Sequence, residues 1–337
     1  MDYINYVKQS PFAGFAGMGG GATGLAAAGI KPLKCTVVSY TNVKSWGGDR
    51  AIFGWGNTSV NVNSYKSSID YFAITNCSDS TDFGEPYEYR GEGRAAASNK
   101  TRVCAMGGYT NTFVNTIDYV TVASTGNATN FGDCLTANYN RQAASDGTYG
   151  IFYEGARASP WTQRLGYITV ASGGNSSQFC TLPNGNLGNG QACSNGSRGV
   201  MSGTNSTASI SYFTFGTSGS TSNFGSLTQR RSAGGGADNA VRGCFFGGSY
   251  TQVEDIIDYI TIDSTGDATD FGNLTMPNYS VCATDNGTRA VVIGGYNPSA
   301  GRQDAIQFVE VATASDAADY AEISSGSESG TSAASGT

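Results

Sequence analysis

The sequence predicts an all-β fold: a six-bladed β-propeller with four-stranded antiparallel blades, an irregular N-terminal arm and a low-complexity C-terminal tail. Three observations carry this expectation. A repeat of about 47 residues occurs six times in tandem. Each copy holds four strand-like segments, the pattern of a propeller blade. The composition is built for turns: 48 of 337 residues are glycine and only 13% are charged. Abundant Gly, Ser, Thr and Asn favours many short strands over helices.

The repeat rests on three landmarks in register. The first is an Ile-Asp-Tyr element: Ile69-Asp70-Tyr71, Ile117-Asp118-Tyr119, Leu165-Gly166-Tyr167, Ile210-Ser211-Tyr212, Ile257-Asp258-Tyr259 and Ile306-Gln307-Phe308. Its aromatic residues are spaced by 48, 48, 45, 47 and 49. The second lies twelve residues further on, at Phe83, Phe131, Phe179, Phe224, Phe271 and Tyr320, and glycine follows it in four copies. The third precedes both and is an apolar run ending in glycine: Ala51–Gly54, Val103–Gly108, Gly150–Gly155, Gly199–Gly203, Cys244–Gly248 and Ala290–Gly295.

These landmarks place the strands of each blade, named a to d. Strand a is small and polar, as in Arg94–Ser98 or Val281–Thr284. Strand b is the apolar run, such as Val103-Cys104-Ala105-Met106, whose continuity predicts burial on both faces. Strand c alternates, as in Ile257-Asp258-Tyr259-Ile260-Thr261-Ile262, so one side is buried. Strand d carries the Phe-Gly landmark. The c–d link is rich in turn formers, as in Ser124-Thr125-Gly126-Asn127-Ala128-Thr129. Helical periodicity is absent, which excludes an α-solenoid.

Charge and composition narrow the function. The net charge of −7 argues against a nucleic-acid surface, which needs a basic stripe. With no histidine, Ser-His-Asp triads are impossible and the commonest metal ligand is missing. The eight cysteines form no CxxC pair. Cys104 and Cys244 sit at equivalent positions in apolar runs and are expected to be small buried hydrophobes. The spacing of the eight suggests no disulfide framework. Gln9 to Ile30 carries no charge, but its glycine content makes it too weakly apolar for a membrane span or a convincing secretory signal.

The Gly-Gly after strand b resembles that of kelch propellers, although the Tyr and Trp that follow it there at fixed offsets are not reproduced. A closer match is the string Ile257-Asp258-Tyr259-Ile260-Thr261-Ile262 followed by Ser264 to Thr275, with Ile117 to Thr136 nearly the same. It resembles a repeat of virion structural and tail-fibre-like proteins of tailed phages, especially those of marine and cyanobacterial hosts. The resemblance covers about residues 45–323, best in blades two and five. It implies a non-enzymatic structural or adhesive role on the particle surface and no cofactor. It also implies other virion proteins as partners, an oligomeric state in the particle, and a host-surface glycan or protein as receptor.

Three segments follow: an arm (1–33), the propeller (34–323) and a tail (324–337). The arm is Gly/Ala-rich with Phe12, Phe15 and Met18 as candidate anchors; it is either a flexible leader or an insert into a neighbouring virion subunit. Lys31–Val37 aligns with strand d and is one candidate to complete the last blade; Tyr320 is the other. The tail is Ser/Gly/Ala-rich without an apolar anchor and is expected to be disordered unless a partner captures it.

Recurring residues are discounted as catalytic, since a single active site needs its groups once. Arg50, Arg102, Arg198, Arg242 and Arg289 precede strand b, with Tyr149 in the remaining blade. They ring one mouth as anion ligands or, preferred, as a repeated structural clamp onto a carbonyl or onto Asp70, Asp118 and Asp258. Sialidases share six blades and an arginine cluster, but Ser78-Asp79-Ser80-Thr81-Asp82-Phe83 lacks the glycine and tryptophan of their Asp-box turns. The opposite face carries the variable b–c loops, where recognition tends to sit. Candidate contacts there are Tyr65, Tyr109, Phe113, Trp161, Tyr250 and Tyr296, suited to glycan stacking or a protein interface. A secreted or surface lectin is the alternative function. Asn-x-Ser/Thr triplets such as Asn127-Ala128-Thr129 and Asn286-Gly287-Thr288 arise from composition.

Overall fold

The computed structural model describes residues 47–56, 68–76, 78–91, 95–138, 142–154, 164–182, 190–202, 207–324 and 332–336. Blade 1 contains β1 (Arg50–Gly54), β2 (Ile69–Ala73) and β3 (Thr81–Gly84). Blade 2 is β4 (Ala95–Ser98), β5 (Arg102–Met106), β6 (Val114–Thr121) and β7 (Thr129–Asn138). Blade 3 is β8 (Ala143–Ser145), β9 (Tyr149–Tyr153), β10 (Arg164–Thr169) and β11 (Ser177–Thr181). Blade 4 is β12 (Gln191–Ser194), β13 (Arg198–Ser202) and β14 (Ser209–Thr214), then β15 (Gly219–Ser220), which pairs in parallel with β11, and β16 (Ser222–Ser226). Blade 5 is β17 (Gly235–Asp238), β18 (Arg242–Ser249), β19 (Val253–Thr261) and β20 (Thr269–Asn273). Blade 6 is β21 (Cys282–Asp285), β22 (Arg289–Ile293), the hairpin β23 (Tyr296–Asn297) and β24 (Gly301–Arg302), β25 (Ala305–Glu310) and β26 (Ala318–Glu322). A last strand, β27 (Ser332–Gly336), completes blade 1.

Each blade is an antiparallel a-b-c-d sheet, and the innermost strands adjoin one another in the closed circle β27, β4, β8, β12, β17, β21. The fold is therefore the six-bladed propeller with four-stranded blades.

Ring closure departs from expectation. The tail was expected to be disordered, yet β27 pairs antiparallel with β1, from Arg50↔Gly336 to Gly54↔Ser332. Tyr320 stays in β26, the outer strand of its own blade, and Lys31–Val37 lies outside the described residues. The reason is that, among the described residues, β1 has no other partner on its inner side. Its inner edge would leave a row of N–H and C=O groups unpaired. The partner that captures the tail is the chain's own first blade. Small residues suit the place: a Cβ at Gly336 would come within 2.6 Å of Val122 Cγ2.

The core lies between blades. The buried apolar side chains of the described residues form six clusters, one at each junction. Within β1, Ile52 packs toward blade 2 while Ala51 and Phe53 pack toward blade 6. Strand b is thus buried on both faces, as its apolar run predicts. No blade buries its faces alone, which is why stability requires the closed ring.

The Phe-Gly and c–d landmarks are two halves of one lock. In blade 2, Gly126 N–H donates to Phe83 O of blade 1 (2.7 Å), and Asn127 Oδ1 accepts from Glu85 N–H (3.1 Å). The same pairing recurs as Gly174 with Phe131 and Asn175 with Asp133, and as Gly266 with Phe224 and Asp267 with Ser226. The glycine after the aromatic permits the close approach. At Gly272 (φ 148°) a Cβ would sit 2.4 Å from Ser315 O of the next blade. Asn127 of the Asn-Ala-Thr triplet is consumed by this lock, and Asn286 Oδ1 holds the Thr288 and Arg289 N–H groups of its a–b turn.

Candidate binding face

The arginines start strand b because an Asx turn delivers them there. Asn99, Asn195, Asn239 and Asn286 each accept the N–H of the arginine three residues on. Each guanidinium then lies over the aromatic ring of its own strand c, at 4.0 Å for Arg50 on Tyr71 and 4.5 Å for Arg102 on Tyr119. Its Nη1 donates to a carbonyl of the next blade: Arg50 to Val122, Arg102 to Ala171, Arg198 to Ile262, Arg242 to Ala312 and Arg289 to Ile74. Five of six junctions are stapled in this way.

The sixth staple is aromatic. Tyr149 replaces the arginine in blade 3 and stacks edge-on against Tyr167 (5.7 Å). Across the junction Phe179 meets Phe213 (5.4 Å), which meets Phe215 (5.3 Å).

The carboxylates proposed as arginine partners are engaged elsewhere. Asp118 pairs with Arg90 (2.5 Å) and Asp258 with Arg231 (2.9 Å), all four side chains fully buried. Asp70 accepts from Ser80 Oγ (3.1 Å). Asp118 and Asp258 also accept the N–H of Tyr87 and Thr228, where the chain leaves strand d of the preceding blade. Gln307 does the same for Thr275 in blade 6. Arg90 and Arg231 were missed, though both lie seven residues after the strand-d aromatic, at Phe83 and Phe224. Asn278 holds that position after Phe271, so an Asn–Gln set in blade 6 stands where blades 2 and 5 have Arg–Asp.

Blade 3 solves the same problem differently. The strand-c position is Gly166, and Glu154 from the end of strand b fills its place, 2.6 Å from where a Cβ would be. Glu154 accepts from Leu135 N–H (2.6 Å) and from Ser176 Oγ, with Arg164 at 3.5 Å. Burial outweighs these bonds and raises its carboxyl above the usual range. A raised folded-state value means that its ionisation opposes folding as pH rises. Glu154→Gln, which keeps an acceptor but cannot ionise, should therefore gain thermal stability relative to wild type as pH is raised from the ordinary glutamate range through neutrality. A constant difference across that range in melting temperature would refute this.

The described cysteines, Cys104, Cys134, Cys180, Cys193, Cys244 and Cys282, are all buried. Burial raises the thiol of Cys104 to about 12. Burial likewise pushes the Cys134, Cys180 and Cys244 thiols up.

With the a–b and c–d turns on the arginine face, the b–c loops and d–a links share the other. Tyr109 and Phe113 are half-buried and stack on one another (5.6 Å), and Tyr109 bridges back to Gly91 in the d–a link. Tyr296 is half-buried against Tyr279 (5.5 Å). Tyr250 stands 49% exposed with the Arg230 guanidinium 3.4 Å from its ring centre. Tyr65, Trp161, Phe12, Phe15 and Met18 lie outside the described residues. The d–a links add exposed rings that the loop reading missed. Tyr87 is 55% and Tyr89 50% exposed, and a hydrogen bond to Glu85 raises the Tyr89 hydroxyl.

No protein-family model matches the chain, and no curated protein matches it. Among the described residues no helix is long and apolar enough to cross a membrane, which leaves β-barrel spans unaddressed.

Proposed function

We propose that the protein is a non-enzymatic phage virion protein, a tail or capsid appendage that presents a host-recognition face and attaches through residues 1–33. The supporting observation is the division between the two faces. On one, the recurring arginines and c–d turns are spent on blade-to-blade contacts. On the other, side chains that do not follow the repeat, such as Tyr87 and Tyr250, stand in solvent. A rigid scaffold carrying variable exposed loops is the usual arrangement for recognition. The repeat strings at Ile117–Thr136 and Ile257–Thr275, with their resemblance to virion proteins, support the proposed location on the particle.

The test is immunogold labelling of purified particles with antibody to the propeller. Gold at a discrete surface position is expected. Antigen confined to a cell envelope or secreted fraction would overturn the virion assignment in favour of a cellular lectin.

A further inference from the structure

Between blades 5 and 6, the recognition face holds an open groove of about 530 Å³. That volume lies within the range of small-ligand sites, roughly 300–1,000 Å³. Its walls are a b–c loop (Ser249 to Val253), a d–a link (Pro277 and Tyr279) and the β23–β24 hairpin (Asn297 to Ser299). The hairpin is an insertion confined to blade 6 among the described residues, so the repeat does not dictate the groove.

The walls are fixed before any ligand arrives. Tyr279 and Tyr296 exchange both backbone hydrogen bonds, at 3.1 and 2.7 Å. Asn297 Nδ2 donates across the gap to Pro277 O (2.7 Å), and Asn297 Oδ1 closes its own turn on Ser299 and Ala300. Arg230 holds the Tyr250 ring from below. Preorganisation of this kind reduces the entropy lost on binding.

The lining chemistry selects the ligand class. No lining side chain is charged, and the neighbouring Arg230 guanidinium is stacked on the Tyr250 ring, so the lining itself offers an anionic sugar, phosphate or sulfate no counter-ion. Tyr250 and Tyr279 offer rigid amphipathic rings, whose faces suit the C–H surface of a pyranose. Thr251, Gln252 and Ser299 are exposed and their side chains have no partner among the described residues, leaving hydroxyls and an amide for sugar hydroxyls. We infer that the groove binds an uncharged oligosaccharide. This rests on the recognition-face reading above and names its ligand class.

The full chain should be titrated calorimetrically with a panel of neutral trisaccharides (maltotriose, cellotriose, mannotriose, xylotriose), with sialyllactose and a heparin trisaccharide as anionic comparisons. At least one neutral sugar is expected to bind. Its affinity should fall at least tenfold in Tyr250→Ala and in Thr251→Trp, which fills the groove, while Val241→Ala, exposed on the opposite, arginine face of blade 5, binds as wild type. Both groove positions are exposed, so melting temperatures should match wild type. Retained affinity in both groove variants, binding by the anionic sugars alone, or no binding by any neutral sugar would each overturn the inference. Cell attachment by intact particles reads the broader proposal separately. Attachment that persists in Tyr250→Ala defeats the groove alone, whereas groove binding by a protein absent from particles defeats the virion role alone.

Discussion

Deleting residues 325–337 is expected to cost the propeller most of its stability, although the segment is Ser/Gly/Ala-rich and looks dispensable. Its strand β27 pairs with all five residues of β1. Backbone hydrogen bonds contribute about 0.5–1.5 kcal/mol each, against a total of about 5–15 kcal/mol for a typical domain. Losing the ladder also opens the ring at the junction of blades 6 and 1, where Phe53, Phe72 and Ile293 are buried. The truncated protein should melt well below wild type, and β1 should become an open edge prone to aggregation. A synthetic peptide of residues 325–337 should restore the melting temperature. Proline substitutions supply a finer reading. In an edge strand successive N–H groups point alternately toward the neighbour and away from it. Of Ala333→Pro and Ala334→Pro, one should therefore be much more damaging than the other. Equal melting of wild type and truncation, or equal effects of the two prolines, would refute the closure.

The six blades and their strands were legible because the repeat is read six times. Strand b shows as an apolar run, and its burial on both faces follows. The closing strand was not legible. Ser332-Ala333-Ala334-Ser335-Gly336 has the composition of a linker, and the small residues that permit strand a near the axis are the same that mark disorder. The arginine positions were visible, but their partners were not. A backbone carbonyl such as Val122 O leaves no trace in residue type, so the aspartates of strand c drew the pairing instead. Arg90 and Arg231 carried a signal, seven residues after the aromatic landmark, which appears only when the d–a link is aligned as carefully as the strands. The rings at Tyr87 and Tyr89 follow from parity: with four strands per blade, the d–a link must run on the same face as the b–c loop.

The second large effect concerns the buried pair Arg231–Asp258. Both side chains are fully buried. Arg231 also donates to Gly247 O (2.9 Å) and Phe245 O (3.2 Å), and Asp258 accepts from Thr228 N–H and Oγ1 (3.0 and 2.6 Å). The pair therefore joins strands b and c of blade 5 to the exit of strand d in blade 4. Removing one partner strands the other as an uncompensated buried charge, at about 3–5 kcal/mol. Asp258→Ala and Arg231→Ala should each be destabilised by that amount in urea unfolding. Glu310→Ala, which breaks the half-exposed pair with Arg289, should cost less than about 1 kcal/mol. Blade 6 indicates how the charge is dispensed with, since Asn278 and Gln307 occupy the equivalent positions. Asn278 Nδ2 reaches Gly294 O (2.8 Å), and Gln307 Oε1 accepts from Thr275 N–H (2.8 Å). The double variant Arg231→Asn with Asp258→Gln should therefore be more stable than either single alanine variant. The charge is then one of two interchangeable ways to stitch neighbouring blades. If the double variant is no more stable than the singles, the ion pair itself is required in blade 5, and the equivalence with blade 6 fails.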